Sequence, residues 1–400
     1  MGGVILSFGV RNLIIPNRQV AREELSRVGS DAAGCRWMTP KAVHRVLKVK
    51  DLEPKQANII KQEMLSRGGE AAVSRGTVDG SVGTTDMLLM GTLKQFQGLV
   101  TKLKMQPFGL SRLAEEVSLV LGNVEGRRPY TLHCRGKELY LGRRTLVMGI
   151  LNITPDSFSD GGKHFGIESA IAGARQMVAE GADIIDLGGE STRPGHVQVN
   201  QDEEISRVIP VLERLVREID VPISVDTYKA GVAKKAMEVG AHIINDQWAL
   251  RADADMAAVA AEYSAPVVIM HNQQGTEYHD LMGDMVGFFK ESMNIADSAG
   301  VPRENIIIDP GIGFGKTLEQ NLEVMRRLPE LDCLGQPVLL GTSRKSMIGK
   351  ALGLPADERV EGTSASVALG ITLGVDIVRV HDVKEMVRVA RMTDAMVRQC

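Results

Sequence analysis

The chain has 400 residues, 44% of them hydrophobic, and a formal net charge of −3 from 47 basic and 50 acidic side chains. That length allows two domains with a sizeable core, and the balanced charge argues against a nucleic-acid or membrane surface. Cys35, Cys134, Cys333 and Cys400 are scattered, with no C-x-x-C pair, so neither a disulfide frame nor a zinc site of ordinary spacing is expected. The short apolar run Val4–Val10 has no basic segment before it and is interrupted by Arg11, so no signal peptide or membrane span is read and a cytoplasmic location is expected. Forty-two glycines and only 4% aromatic residues suit an α/β protein rich in tight strand-to-helix turns.

Residues 1–128 read as a small α/β extension. Arg45–Val49 is a candidate strand. Pro54–Arg67 is a candidate helix, with Ala57, Ile60 and Met64 at helical spacing and Gly68-Gly69 to end it. Met87–Met90 reads as a buried strand, Leu93–Leu103 as a helix, and Ser111–Leu121 as a helix stopped by Gly122. The glycine-rich pieces match neither a phosphate loop nor a dinucleotide fingerprint, and no catalytic constellation is visible. A role in packing or assembly is the expectation for this stretch.

Residues 129–400 form the second expected domain. Thr131–Cys134 and Glu138–Leu141 alternate about Arg135-Gly136-Lys137, which predicts a hairpin with a three-residue turn over 129–145, placed to close the bottom of whatever follows. From 146 onward apolar strand-like runs recur at Leu146–Leu151, Asp183–Leu187, Pro222–Val225, His242–Ile244, Pro266–Met270, Asn305–Ile308, Pro337–Leu340 and Asp376–Val380. A helical pattern follows each: Glu168–Glu180, Asp202–Glu218, Lys229–Val239, Asp253–Tyr263, Asp284–Ala299, Leu318–Leu328, Thr363–Leu373 and Val383–Arg398. Eight β-then-α units in about 250 residues have the size and order of a (β/α)8 TIM barrel. A doubly wound open sheet is the rival, but no G-x-G-x-x-G follows a first strand.

A TIM barrel carries its active site at the C-terminal ends of its strands. Those ends read Asn152, Asp186, Asp226, Asn245, His271, Asp309, Ser343 and His381. One polar strand end is ordinarily a cap or turn former; eight converging on one rim point to an enzyme. Asp309–Lys316 (DPGIGFGK) sets a carboxylate ahead of three glycines, which lets backbone approach a flat ligand. Ser343-Arg344-Lys345-Ser346 brings two cations and two hydroxyls, suited to an anionic or carbonyl-bearing ligand. Arg379 and His381, two apart on a strand, share a face near the phosphate position of this fold. Glu190–Gly195 is a second rim loop with Arg193 at its tip. Asp226, Asp309 and Asn245 are candidates to read the donor-rich edge of a planar heterocycle. No serine or cysteine nucleophile with a neighbouring base and no H-E-x-x-H is evident, so chemistry driven by electrostatics and leaving-group binding is favoured.

The strings LNITPDSFSDGG (151–162), DLGGESTRPG (186–195), SVDT (224–227), INDQ (244–247), DPGIGFGK (309–316), GTSRKS (341–346) and RVHD (379–382) together resemble the dihydropteroate synthase family. The resemblance runs in order over about 146–400 and leaves 1–128 uncovered. It implies condensation of a dihydropterin-CH2-diphosphate with p-aminobenzoate, releasing pyrophosphate, in folate synthesis. It implies that Asp226, Asn245, Asp309 and Lys345 hold the pterin. Asn152 would ligate Mg2+ on the diphosphate, and Thr192, Arg193, Arg379 and His381 would bind that anionic leaving group. Phe314, Lys345 and Ser346, with Thr192, Arg193 and Phe158, would line the p-aminobenzoate pocket. Asp226, Lys345, Arg193 and Asp160 would carry the chemistry, with Phe158 and Asp160 on a first loop expected to close over the site. Small-molecule substrates and a homodimer are the expected partners, with no nucleic acid or membrane. Gln247-Trp248, Met347 and His271-Asn272 depart from the family's usual residues; none is expected to touch a residue with an implied role, so only pocket shape is expected to change. Two rivals are a methyltetrahydrofolate–corrinoid methyltransferase and a non-catalytic pterin-binding paralogue. Ser343–Ser346 and the Arg379/His381 pair argue against the first, the presence of Asn152, Arg193 and Lys345 against the second.

Overall fold

The computed structural model describes residues 8–126, 129–153, 163–190 and 199–398. The chain divides into two compact units, Met1–Gly126 and Arg127–Cys400. Among the described residues no helix is long and apolar enough to cross a membrane.

The first unit contains α1 (Arg18–Arg27), α2 (Ala32–Ala42), β1 (His44–Leu52), α3 (Pro54–Leu65), β2 (Glu70–Val73), β3 (Thr85–Thr92), α4 (Leu93–Leu103) and α5 (Leu110–Val124). The sheet is antiparallel in the order β1-β3-β2. Alternate residues of β3, Met87 and Leu89, turn inward to a core shared with Ile60 and Met64 of α3 and Leu93, Phe96 and Leu99 of α4. The α4 start follows from its cap: Thr92 and Gln95 form a reciprocal capping box. Three elements were not anticipated. α1 buries only Ala21, α2 only Cys35 and Thr39, and β2 is four residues long, so none carries a periodic apolar stripe for a sequence reading to follow. Nor does Gly122 stop α5, which runs on to Val124. A helix-interior glycine costs only about 1 kcal/mol against alanine, and packing of Ala114, Val117 and Leu121 overrides it.

The second unit opens with β4 (Tyr130–Cys134) and β5 (Lys137–Leu141). Cys134 pairs directly with Lys137, so the turn holds two residues, not the three expected. Arg135 (φ +50) and Gly136 (φ +94) both take positive φ, the geometry of a type I′ turn matched to strand twist.

Eight parallel strands follow: β6 (Leu146–Asn152), β7 (Ile184–Gly188), β8 (Ile223–Asp226), β9 (Ile243–Asp246), β10 (Val267–Met270), β11 (Ile306–Asp309), β12 (Leu339–Leu340) and β13 (Ile377–Val380). The ladder runs β11-β10-β9-β8-β7-β6-β13-β12, and a parallel bridge from Ile308 to Val338 joins its two ends into a TIM barrel. The crossover helices are α6 (Lys163–Glu180), α7 (Gln201–Glu218), α8 (Ala230–Val239), α9 (Met256–Glu262), α10 (Leu281–Ala299), α11 (Leu318–Arg327), α12 (Ser346–Leu352) with α13 (Val360–Thr372), and α14 (Val383–Val397). The seventh crossover thus holds two helices where the sequence reading had one; α12 spans seven residues, too short to show a helical period.

Inside the barrel the period-two alternation of each strand stacks two layers of different chemistry. The layer at the strand starts is apolar: Met148, Ile184, Ile243, Val268, Ile307, Leu339 and Ile377. Leu132, Cys134, Leu139 and Leu141 of the β4–β5 hairpin belong to the same cluster and cover it. Two residues further along, the inward positions become Asp186, Asn245, Asp309 and Arg379, so the lumen changes from oil to charge within one strand step.

Candidate active site

The ladder register decides which polar ends meet. Asn152 lies opposite Gly188, Gly188 opposite Asp226, and Asp226 opposite Asn245, while Met270 lies opposite Asp309. Arg379 reaches across this layer. Its Nε donates to Asp186 Oδ2 and its Nη2 to Asp226 Oδ2, each at 2.6 Å. Asn245 Nδ2 donates to Asp186 at 3.1 Å, and Gln247 Nε2 to Asp226 Oδ1 at 2.5 Å. Asp186 is fully buried, and its Oδ1 has no hydrogen-bond partner among the described residues.

The cost of that burial is visible in the acids. Burial pushes the Asp226 carboxyl up to about 7 despite the Arg379 guanidinium, and the buried Asp186 beside it adds to the rise. Burial likewise raises Asp309, with Lys345 opposing. Lys345 is drawn down to about 8 by burial, against the pull of Asp309. The layer therefore has two carboxyls whose proton affinity burial raises and a cation that can give up its proton, next to one guanidinium locked in its charged form.

The loop after β11 is held from behind. Gly311 N donates to Asp309 Oδ1 at 2.7 Å, which fixes that carboxylate. Gly311, Gly313 and Gly315 all have positive φ, and a Cβ on Gly311 would lie 1.9 Å from the carbonyl oxygen of His271. Lys316 folds under the loop, its Nζ 3.2 Å from Gly311 O, 3.1 Å from Phe314 O and 2.9 Å from His271 Nδ1. Burial lowers Lys316 to about 7 and His271 to about 3, so the imidazole is neutral. Asn321 accepts from Gly313 N at 2.7 Å, and Tyr278 Oη donates to Gly315 O at 2.7 Å. Every turn of the loop is thereby tied to a side chain outside the site.

Phe314, so supported, carries Lys345: the ammonium is 4.6 Å from its ring centroid and donates to Ile312 O. Ser346 is exposed at the start of α12. Arg344 is not part of this cluster; it takes φ +56 and pairs with Asp382, Nε to Oδ2 at 3.0 Å. That pair ties the loop after β12 to the loop after β13. His381 is held by Ser343, whose hydroxyl lies 3.0 Å from Nδ1 and accepts from the His381 amide at 3.1 Å. Arg379 spends Nε and Nη2 on the carboxylates, so only Nη1 has no hydrogen-bond partner among the described residues.

At the outer rim Asn152 is exposed at the end of β6, its Oδ1 above Gly188. Among the described residues no group of three His, Cys, Asp or Glu side chains could hold a metal ion. Phe158, Asp160, Thr192 and Arg193 lie outside the described residues. The start of the second rim loop is anchored by Lys229, which donates to Glu190 at 2.5 Å and Glu204 at 2.6 Å.

Sequence reasoning missed several working parts. Gln247 stood out only as a departure assigned to pocket shape, and that expectation fails, because Gln247 binds Asp226 directly; His271, read as a polar strand end on the rim, braces Lys316. Lys229 and Lys316 were given no role of their own. The available signal was position: Lys229 meets Glu190 and Glu204, and Lys316 meets His271, across a crossover that only the closed barrel brings near.

Comparison with known proteins gives one consistent result. Residues 148–381 match the family of pterin binding enzymes. The chain is 57% identical to a dihydropteroate synthase of Clostridium beijerinckii over 264 residues, 66% of this chain and 98% of that protein. It is 44% identical over 382 residues to a probable bifunctional folylpolyglutamate synthase/dihydropteroate synthase of Halobacterium salinarum, covering 94% of this chain and 46% of that one. A crystal structure of the Clostridium difficile dihydropteroate synthase, determined with pteroic acid present, superposes with a TM-score of 0.64 at 58% identity over 65% of this chain and 99% of that one.

Proposed function

The chain belongs to the pterin binding enzyme family and is a transferase with dihydropteroate synthase activity in folate biosynthesis, and we propose how its residues divide that work. The reaction joins 6-hydroxymethyl-7,8-dihydropterin diphosphate to p-aminobenzoate and releases pyrophosphate. The observation that carries the proposal is the charged layer directly above the apolar floor: Asp186, Asp226, Asn245, Asp309, Lys345 and Arg379 in one lumen.

Asp226 and Asp309 face the ring N–H and amino groups of the pterin as acceptors. Asn245, turned by its bond to Asp186, offers its carbonyl oxygen to the same edge. Lys345 donates to the acceptor side of the ring, and its stem together with Phe314 forms the wall against which the arylamine lies. Ser346 at the exposed start of α12 marks the carboxylate end of that pocket. The diphosphate lies over Asn152, His381 and Arg379 Nη1, with Thr192 and Arg193 completing the cage and Phe158 and Asp160 on the closing loop. The C–O bond to the diphosphate breaks first, and its electron pair leaves with pyrophosphate. Positive charge left on the pterin methylene is stabilised by the ring and by the ionised carboxylates beneath it. The neutral amine attacks that carbon, and its proton becomes acidic once the C–N bond exists.

Mg2+ fits the outer rim. A hard cation that keeps most of its waters and takes substrate phosphate oxygens needs only one or two protein oxygens, and Asn152 supplies one. Bound there, it would neutralise charge on the departing diphosphate. A homodimer belongs to the same proposal; Met392 and Met396, one turn apart on α14, are 62% and 65% exposed. The deciding assay is pyrophosphate release dependent on p-aminobenzoate, with and without Mg2+. Release only with both substrates and the metal is expected; release indifferent to p-aminobenzoate would overturn the proposal.

A further inference from the structure

In the first unit α1, α2 and α4 meet around a cleft of about 320 Å3. Arg18 and Arg22 enter it from successive turns of α1, Arg36 and Trp37 from α2, and Lys94 and Gln97 from α4. None of the lining residues is acidic. Arg18 shares Glu125 at 3.4 Å, whereas Arg22, Arg36 and Lys94 face no carboxylate among the described residues. The acids of α1 are used elsewhere: Glu24 pairs with Arg27 and Glu23 accepts from Gln19. Trp37 is 66% exposed at the cleft, with Lys94 Nζ 6.0 Å from its ring centroid.

Both features are unfavourable to the isolated fold. Like charges one helical turn apart repel. A large indole left in water forgoes the burial that ordinarily justifies it. Their coincidence in one concavity is explained by a ligand that relieves both. An anion would satisfy the guanidinium forks, and a ring on the same molecule would cover the indole. The cleft has room for one ring and its phosphates, not for a polymer, and the chain as a whole is acidic.

We propose that the cleft between α1, α2 and α4 binds a small heteroaromatic phosphate, with the ring stacked on Trp37 and the phosphates held by Arg22, Arg36 and Lys94. A nucleotide and the enzyme's own pterin diphosphate share that chemistry. This is a site separate from the barrel, and it gives residues 1–126 a ligand-binding role.

The test uses the full chain carrying Trp248→Phe, which leaves Trp37 as the single tryptophan. ATP, adenosine, tripolyphosphate and the pterin diphosphate are titrated while indole emission is followed. ATP or the pterin diphosphate should quench it, and adenosine and tripolyphosphate should each bind about tenfold more weakly than ATP, because each satisfies half the site. The stronger of the two quenchers names the source. Arg22→Glu with Arg36→Glu should weaken binding by at least about tenfold with an unchanged circular dichroism spectrum, since both side chains are exposed. Calorimetry on Trp37→Leu should show a similar loss. Absence of quenching up to about 1 mM ligand, or equal binding by the charge-reversed protein, would overturn the proposal. So would an oligonucleotide that displaces ATP with affinity rising with strand length.

Discussion

Lys316 shows how much of this site depends on a side chain that need not touch substrate. It is 9% exposed and holds Gly311 O, Phe314 O and His271 at once. Its amine falls from an ordinary 10.5 to about 7 on burial. The unfolded chain therefore takes up a proton between pH 10.5 and about 7 that the folded chain does not, so stability drops as pH falls through that window and is level below it. Lys316→Met should flatten that part of the pH–stability curve, measured by urea unfolding. It should also raise KM for p-aminobenzoate more than it lowers kcat, by loosening Phe314. Asp309→Asn makes a different prediction. An amide offers one acceptor oxygen where the carboxylate offers two, and its NH2 would face the donors of the pterin edge, so affinity should fall by about 1–3 kcal/mol with the fold intact. Wild-type affinity in a calorimetric titration would remove Asp309 from the pterin site. Lys345→Gln should lower turnover strongly while the melting temperature hardly moves; loss of stability alone would make Lys345 structural. The acids and Lys345 were legible because chemistry restricts the residue types that can read such a ring. Gln247, and the pairing of His271 with Lys316, were not, because those partners lie 21 and 45 residues apart in sequence and are adjacent only in the barrel.

At the scale of elements, the hairpin matters more than its five-residue strands suggest. Leu132, Cys134, Leu139 and Leu141 complete the lower layer of the barrel. Arg135 at the turn donates to Met237 O at 2.9 Å and lies 5.3 Å from the Tyr263 ring, pinning the hairpin to the outside of the barrel as well. Leu139 is 5% exposed, and Leu139→Ala should cost about 2–5 kcal/mol by opening a cavity that the surrounding strands cannot close. Chemical denaturation would measure it; a cost near zero would mean that the barrel closes without the plug. The barrel elements were readable because each strand is buried on both faces and appears as an unbroken apolar run. α1, α2 and α12 were not, being short or nearly devoid of apolar stripe.

For the whole molecule, the two units carry separate hydrophobic cores. All candidate active-site residues fall in 129–400. A chain shortened to begin at Arg128 should therefore remain soluble and keep most of the Mg2+-dependent synthase activity, as judged by pyrophosphate release. A folded, monodisperse barrel without activity would show that residues before 128 contribute to the site. The same shortened chain should lose the ATP-dependent calorimetric signal assigned to the Trp37 cleft.

The order of strands and helices, the polar residues at the strand ends, and the motif strings that mark the family were all set down along the chain, because each is a local pattern or a short contiguous word. Which of those polar ends confront one another was decided only by closure of the barrel. Register puts Asp226 beside Asn245, closure brings Arg379 from the last strand to Asp186 and Asp226, and burial among them shifts their proton affinities. Burial and proximity are properties of the closed lumen, and no stretch of sequence carries them alone.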